Sequence, residues 1–333
     1  MTPRELVYKT LEFKSPSRIP RNIWVMAWAQ YNYPDELTRI REKYPDDITG
    51  PTFEYRFKPS MQGDPYAVGT YIDEWGCVFE NIHRGIIGEV KKPLLCDLSD
   101  WNKIRIPEEL LTFNAEQVNS SCGQTDKFVL AGCCPRPFER LQFIRGSANL
   151  YMDLAMESSE IHSLLNRIHQ FYLEKVTRWC QTEIDGIFFM DDWGSQQSLL
   201  ISPAMWRQVF KPLYKDYITV AHKYGKKIFM HSDGYILDIL PDLVELGLDA
   251  INSQIFCMGI EELGKKFSGK ITFWGEIDRQ HLLPEGTKED ICKAVQDVGK
   301  ALYRDGGVIA QCEFGPAAKP ENVEAVFEEW NRI

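Results

Sequence analysis

A histidine and a carboxylate two residues apart close one apolar run of the chain: Lys227-Ile228-Phe229-Met230 leads into His231-Ser232-Asp233-Gly234. Residues i and i+2 of an extended segment point the same way, so His231 and Asp233 can converge at the C-terminal mouth of a strand. A second apolar run, Gly307 to Gln311, ends in Cys312-Glu313. Imidazole, carboxylate and thiol at strand ends are donors for a zinc ion and groups for acid–base chemistry. The plain alternative is that His231 and Asp233 hydrogen-bond to each other in a loop.

Two further apolar runs end in acids. Gly186 to Met190 leads into Asp191-Asp192-Trp193-Gly194-Ser195-Gln196, and Ile271 to Trp274 into Gly275-Glu276-Ile277-Asp278. If these ends share one mouth, Asp191, Asp192, His231, Asp233, Glu276, Cys312 and Glu313 make it strongly anionic. Like charges at short range repel, and a divalent cation is the simplest relief. Lys319 or Arg136 could neutralise part of it instead. Singly, each residue also has a structural role open to it. Asp191 can cap a turn, Glu276 can sit solvated on a rim, and Cys312 can fill a core. Together, His231, Asp233 and Cys312 resemble a tetrahedral site with one open position. Trp24, Trp28, Tyr31 and Tyr33 cluster in and after the first strand, where they line an apolar substrate pocket or pack the core.

The elements that must position these residues alternate. Strand-like runs are Asn22 to Met26, Phe128 to Gly132, Gly186 to Met190, Lys227 to Met230, Ala250 to Asn252, Ile271 to Trp274 and Gly307 to Gln311. Amphipathic stretches separate most of them: Leu150 to Gln181, Pro203 to Tyr224, Tyr235 to Glu245 and Lys288 to Tyr303, with Glu321 to Trp330 closing the chain. Such alternation predicts βαβ units, and over 333 residues a single (β/α)8 barrel with its polar strand ends at one mouth. Residues 70–93 depart from the pattern. Asp73 to Glu80 and Gly85 to Val90 read as a β-hairpin elaboration at the rim. No G-x-G-x-x-G follows a strand and no P-loop motif occurs, so nucleotide binding of those kinds is not expected.

Composition narrows the classes. A formal net charge of -10 without a basic run argues against a nucleic-acid surface. No apolar run is long enough for a membrane span, and the N-terminus is too polar for a secretory signal. Nine cysteines without a disulfide framework suggest free thiols and a cytoplasmic setting.

Several of these residues also carry a resemblance. The runs Asp191 to Gln196, Ile201-Ser202-Pro203, Lys211 to Tyr214, His231 to Gly234, Leu248 to Asn252, Gly275 to Asp278 and Pro320 to Val323 resemble the uroporphyrinogen decarboxylase superfamily. Ile19 to Met26 and Asp73-Glu74-Trp75-Gly76 extend the likeness into the N-terminal half. It implies a (β/α)8 barrel with its site at the C-terminal mouth. One branch of the family decarboxylates a polycarboxylate tetrapyrrole without metal, through arginines after the first strand. Here Trp24 to Tyr31 holds none. The other branch comprises corrinoid-dependent methyltransferases, which hold zinc through a His-x-Cys pair and a distant cysteine. His231 and Cys312 match two of those ligands, and Asp233 stands in for the first cysteine. The likeness thus implies a zinc enzyme moving a methyl group between a small donor or acceptor and a corrinoid protein. His231, Asp233 and Cys312 would be its ligands, and Glu276 a possible fourth. Asp191 and Asp192 would act at the catalytic centre, with Trp24, Trp28 and Gln196 toward substrate. The alternatives are a carboxylate decarboxylase, with Asp73 matching the family's acidic catalytic residue, and a non-catalytic barrel that docks a corrinoid protein.

Overall fold

The computed structural model describes all 333 residues, and its frame is a nearly closed barrel of eight parallel strands. In chain order they are β1 (Arg21–Val25), β2 (Ile48–Thr49), β3 (Phe128–Ala131), β4 (Gly186–Met190), β5 (Lys227–Ser232), β6 (Ala250–Ser253), β7 (Thr272–Trp274) and β8 (Val308–Phe314). Each pairs with its sequence neighbour from β2 through β8, and β8 returns to β1. The β1–β2 seam lacks a regular ladder. Carboxylates bridge it instead: Asp46 Oδ1 accepts from Ile23 N at 2.6 Å, and Asp47 Oδ2 from Arg21 N at 2.7 Å. The Asp47 amide adds one backbone bond to Arg21 O, 2.8 Å. A two-residue strand following two aspartates gives no hydrophobic signal, which is why β2 escapes a reading by apolar runs.

Alternation along the strands separates two cores. Ile48, Phe128, Leu130, Phe229, Ala250, Trp274 and Ile309 fill the barrel, with Trp24 and Phe188 packed against them. Burying each large side chain contributes roughly 1.5–3 kcal/mol. Val7 and Leu11 of the helix Pro3–Leu11 join this interior group and plug the barrel's N-terminal end. The residues between them in the strands, such as Ile23, Ile187, Ile251 and Ala310, join a larger cluster of 72 that includes the helices.

Two long helical runs are interrupted. Leu150 to Gln181 folds as Ser147–Ala155 and Ser159–Cys180, broken where Glu157 takes φ 53°. Pro203 to Tyr224 splits into Pro203–Val209 and Lys211–Lys223, because Pro212 has no N–H to continue the first helix. The rim elaboration is a three-stranded antiparallel sheet of Gly69–Ile72, Val78–Asn81 and Glu89–Val90. Asp73 to Gly76, expected within a strand, forms the turn. Asp73 Oδ1 accepts from the amides of Trp75 (3.0 Å) and Cys77 (2.7 Å), and Gly76 sits at φ 90°. An aspartate that bonds amides two and four residues on favours a turn over a ladder.

Candidate metal centre

The loops after β4 and β5 meet backbone to backbone. Gly194 N donates to Asp233 O at 3.0 Å and Tyr235 N to Ser195 O at 2.7 Å. At Gly234, which takes φ 77°, a Cβ would strike the Gly194 and Ser195 carbonyl oxygens. The glycines that end Asp-Asp-Trp-Gly and His-Ser-Asp-Gly therefore let the loops cross closely enough to bring their acids together.

What they bring together is Asp192, His231 and Asp233, each offering one donor atom within 4.8 Å of the others. His231 Nε2 lies 3.4 Å from Asp233 Oδ1 and 3.5 Å from Asp192 Oδ1. The Asp192 oxygen also accepts from Asp233 N at 2.9 Å. Asp233 Oδ1 is buried and has no hydrogen-bond partner.

The histidine's tautomer follows from its neighbour. His231 Nδ1 is 2.6 Å from Asn252 Oδ1, and Asn252 Nδ2 donates to the Trp274 carbonyl oxygen at 2.5 Å. A carbonyl can only accept, so the Asn252 amide is fixed with its oxygen toward the ring. Nδ1 therefore carries the proton, and in the neutral imidazole Nε2 turns a lone pair toward two carboxylates. Three Lewis bases facing one point need a proton or a cation between them. The spacing fits a cation. Zinc bonds of about 2.0–2.1 Å in a tetrahedron set adjacent donors about 3.4 Å apart.

Arg279 closes the outer side. Its guanidinium lies 2.5 Å from Asp233 Oδ2, 3.0 Å from Glu313 Oε2 and 3.8 Å from Glu276 Oε2. The cation that relieves these acids is thus neither Lys319 nor Arg136. Trp24 forms the floor, its ring 5.2 Å from the His231 ring and 5.0 Å from Trp274.

Two expected ligands lie elsewhere. Cys312 joins no group of three potential ligands. It pairs in register with Ile23, and both belong to the layer between strands and helices, whereas a ligand must face inward. Burial, with Glu276 and Glu313 nearby, pushes its thiol well above the usual range. Its neighbour Glu313 has the inward parity. Glu276 is also outside the group. Burial pushes it well above the carboxylate range, against the pull of Arg279 and with the push of Asp233 and Glu313. It sits beside Arg279, apart from the three donors that converge.

Asp191 has a structural role. It is fully buried, its carboxylate accepts from Phe138 N (3.1 Å) and Glu139 N (2.9 Å), and Tyr214 Oη donates to it at 2.7 Å. It thereby holds the N-terminus of the helix Pro137–Arg145, where an acid is favoured. Asp192, placed at the catalytic centre, instead offers a donor atom to the metal group. Asp73 lies on the neighbouring rim, with Oδ2 ion-paired to Arg140 at 2.5 Å. Gln196 donates to Gln254 Oε1 at 2.6 Å, an oxygen that also accepts from Gly234 N at 2.9 Å. Gln196 and Glu276 line a small cavity of about 170 Å³. Trp28 ties the rim to the barrel, its amide donating to Gly85 O at 3.1 Å and its ring meeting Tyr33 at 5.7 Å.

Two residues of the centre lacked a clear sequence signal. Asn252 ends the run Ala250-Ile251-Asn252, and its place opposite His231 is fixed only by the strand register. Arg279 directly follows Glu276-Ile277-Asp278 and is the first base after those acids.

Similarity to known proteins accords with the barrel. The family model described as Uroporphyrinogen decarboxylase (URO-D) matches residues 70–333. No curated protein sequence matches the chain. Among solved structures, a methyltransferase from Methanosarcina mazei is similar over 100% of this chain and 99% of its own, with TM-score 0.69 and 14% identity. The apo form of 3-keto-D-glucoside 4-epimerase, YcjR, from E. coli covers 71% of this chain and 93% of its own, with TM-score 0.40 and 15% identity. At 14% identity the likeness to the methyltransferase extends to the fold alone. No helix is long and apolar enough to cross a membrane, and all nine cysteines are free.

Proposed function

The chain belongs to the uroporphyrinogen decarboxylase family, and within it we propose a metal-dependent methyltransferase that moves a methyl group between a small substrate and a corrinoid carried by a partner protein. The observation that carries this reading is the convergence of His231 Nε2, Asp233 Oδ1 and Asp192 Oδ1, with the imidazole lone pair aimed at two carboxylates. Zinc suits the nitrogen–oxygen donor set and the donor spacing. Bound there, zinc would supply Lewis acidity toward the oxygen, nitrogen or sulfur that yields or receives the methyl group.

The chain's own residues have separable tasks. Asn252 holds the His231 tautomer. Arg279 pins Asp233 through Oδ2, which leaves Oδ1 for the metal. Trp24 and Trp274 both donate indole N–H bonds to Asn22 Oδ1, at 3.2 and 3.1 Å, which fixes an aromatic floor under the centre. The decarboxylase reading draws less support. Asp73 has both oxygens engaged, by two amides and Arg140. Uroporphyrinogen supplied anaerobically is therefore expected to stay intact.

The test is metal analysis of protein purified without chelator, followed by a methylcobalamin demethylation assay with thiol acceptors. About one zinc per chain is expected, lost in His231→Ala together with methyl transfer. Metal-free protein from zinc-replete cells, with turnover untouched by His231→Ala, would remove the basis of this reading.

A further inference from the structure

A cavity of about 410 Å³ adjoins the metal centre between β3, the rim sheet and the helix Ser159–Cys180. Met190 links the two: it pairs in register with His231, and its Sδ accepts from Arg136 Nη2 at 2.7 Å. The cavity is lined by aromatic rings, by three bases, Arg136, Arg140 and Lys175, and by three acids, Asp73, Glu74 and Glu139.

The bases differ in one respect. Arg140 is matched by Asp73 at 2.5 Å. Lys175 is only 8% exposed, forms no hydrogen bond and has no carboxylate within 4.0 Å. Arg136 bonds only the Met190 thioether, a weak acceptor, and likewise has no carboxylate within 4.0 Å. Glu139 on the same wall does not make up the deficit. Burial, opposed by Arg136, pushes it up to about 7, and its Oε2 has no partner. Burial also pulls Lys175 below its ordinary value, against the nearby thiols and Glu74 and with the help of Arg136. Lys175 is buried and Arg136 half-buried, and with Glu74 on the wall but ion-paired to neither, an anion seated between the two bases would offset the cost of holding them there.

We propose that this cavity is an anion subsite for the substrate. It takes one carboxylate between Arg136 and Lys175, with a small apolar body against Phe143 and Tyr172. Guanidinium matches a carboxylate in bidentate fashion, and the ammonium adds a point charge. The volume falls within the usual range for small-ligand pockets, and its aromatic lining suits an apolar body. That the bound acid is the substrate rests on the methyltransferase reading above. That the cavity binds a carboxylate does not.

The test uses the full chain with its metal, and benzoate as probe in titration calorimetry at neutral pH. Benzoate is expected to bind saturably, and benzyl alcohol, its neutral counterpart, is not. Lys175→Met and Arg136→Gln should each weaken benzoate about tenfold or more. Lys175→Met should also raise Tm without ligand, because it replaces an unpaired buried charge by an apolar chain, so a failure to fold does not mask the result. Absence of benzoate binding at millimolar concentration, or binding unchanged in both variants, overturns the proposal. Benzenesulfonate binding more tightly than benzoate overturns the assignment to a carboxylate. Zinc content measured on the same samples separates the two claims. Zinc present without benzoate binding sinks the subsite alone, whereas benzoate binding without zinc supports the subsite and sinks the metal reading.

Discussion

Replacing Asn252 by leucine tests how the centre is built, because Asn252 would act on a bound metal only through His231. The substitution removes the Oδ1 acceptor 2.6 Å from Nδ1 and the Nδ2 donor to Trp274 O. Each orphaned buried group costs about 1–3 kcal/mol, so the chain should lose stability and still fold. The larger consequence is local. With Nδ1–H unpaired, the proton can move to Nε2, the atom that faces Asp192 and Asp233. Loss of such an outer partner typically weakens metal binding about 10–100-fold. Zinc affinity at neutral pH, measured by competition with a chromophoric chelator, should fall by that range. Asn252→Asp, which keeps an acceptor toward Nδ1, should lose much less. If Asn252→Leu folds and binds zinc like the wild type while His231→Ala binds none, the tautomer argument is wrong.

Other outcomes follow from the same geometry. Cys312→Ala should leave zinc content and affinity as they are, like Cys257→Ala, since Cys312 belongs to the strand–helix layer; a metal-free Cys312→Ala protein would restore it as a ligand. Gly234→Ala should keep the circular dichroism of the barrel and lose zinc, because its Cβ would force apart the loops carrying Asp192 and Asp233. Glu139 moves from its ordinary 4.5 up to about 7 on folding. A carboxyl raised by folding binds its proton more tightly in the native state, so its share of stability is full below 4.5 and is lost as pH rises through 7. Urea unfolding should therefore show Glu139→Gln gaining stability relative to wild type at pH 8 compared with pH 4; an equal difference at both values would refute the shift.

The barrel was legible because seven of its strands are apolar runs and most are separated by amphipathic helices. The exception, β2, is fixed by Asp46 and Asp47 bonding the β1 backbone, an interaction that leaves no periodic trace. At the site, the i, i+2 rule placed His231 and Asp233 correctly on one face. The same rule, applied along β8, separates Cys312 from the mouth, since Ile309 is inside the barrel and Cys312 differs from it by an odd number of residues. Asp191 and Asp192 show the same parity: neighbours in sequence, they face opposite sides of β4. What no pattern could supply was which base meets the acids. That depends on the path of the loop after β7, which brings Arg279 back over Asp233.

The Asp191-Asp192 dipeptide has one more consequence. Asp191 grips the first turn of the helix that carries Glu139 and Arg140 along the cavity wall, while Asp192 offers its carboxylate to the candidate metal group on the opposite side of the same backbone. A single peptide unit therefore joins the cavity wall to the candidate metal group. If a carboxylate in the cavity shifts that peptide, it should alter metal affinity, and metal should alter carboxylate affinity by the same factor, as thermodynamic reciprocity requires. Zinc affinity measured with and without benzoate would then differ, before any chemistry begins.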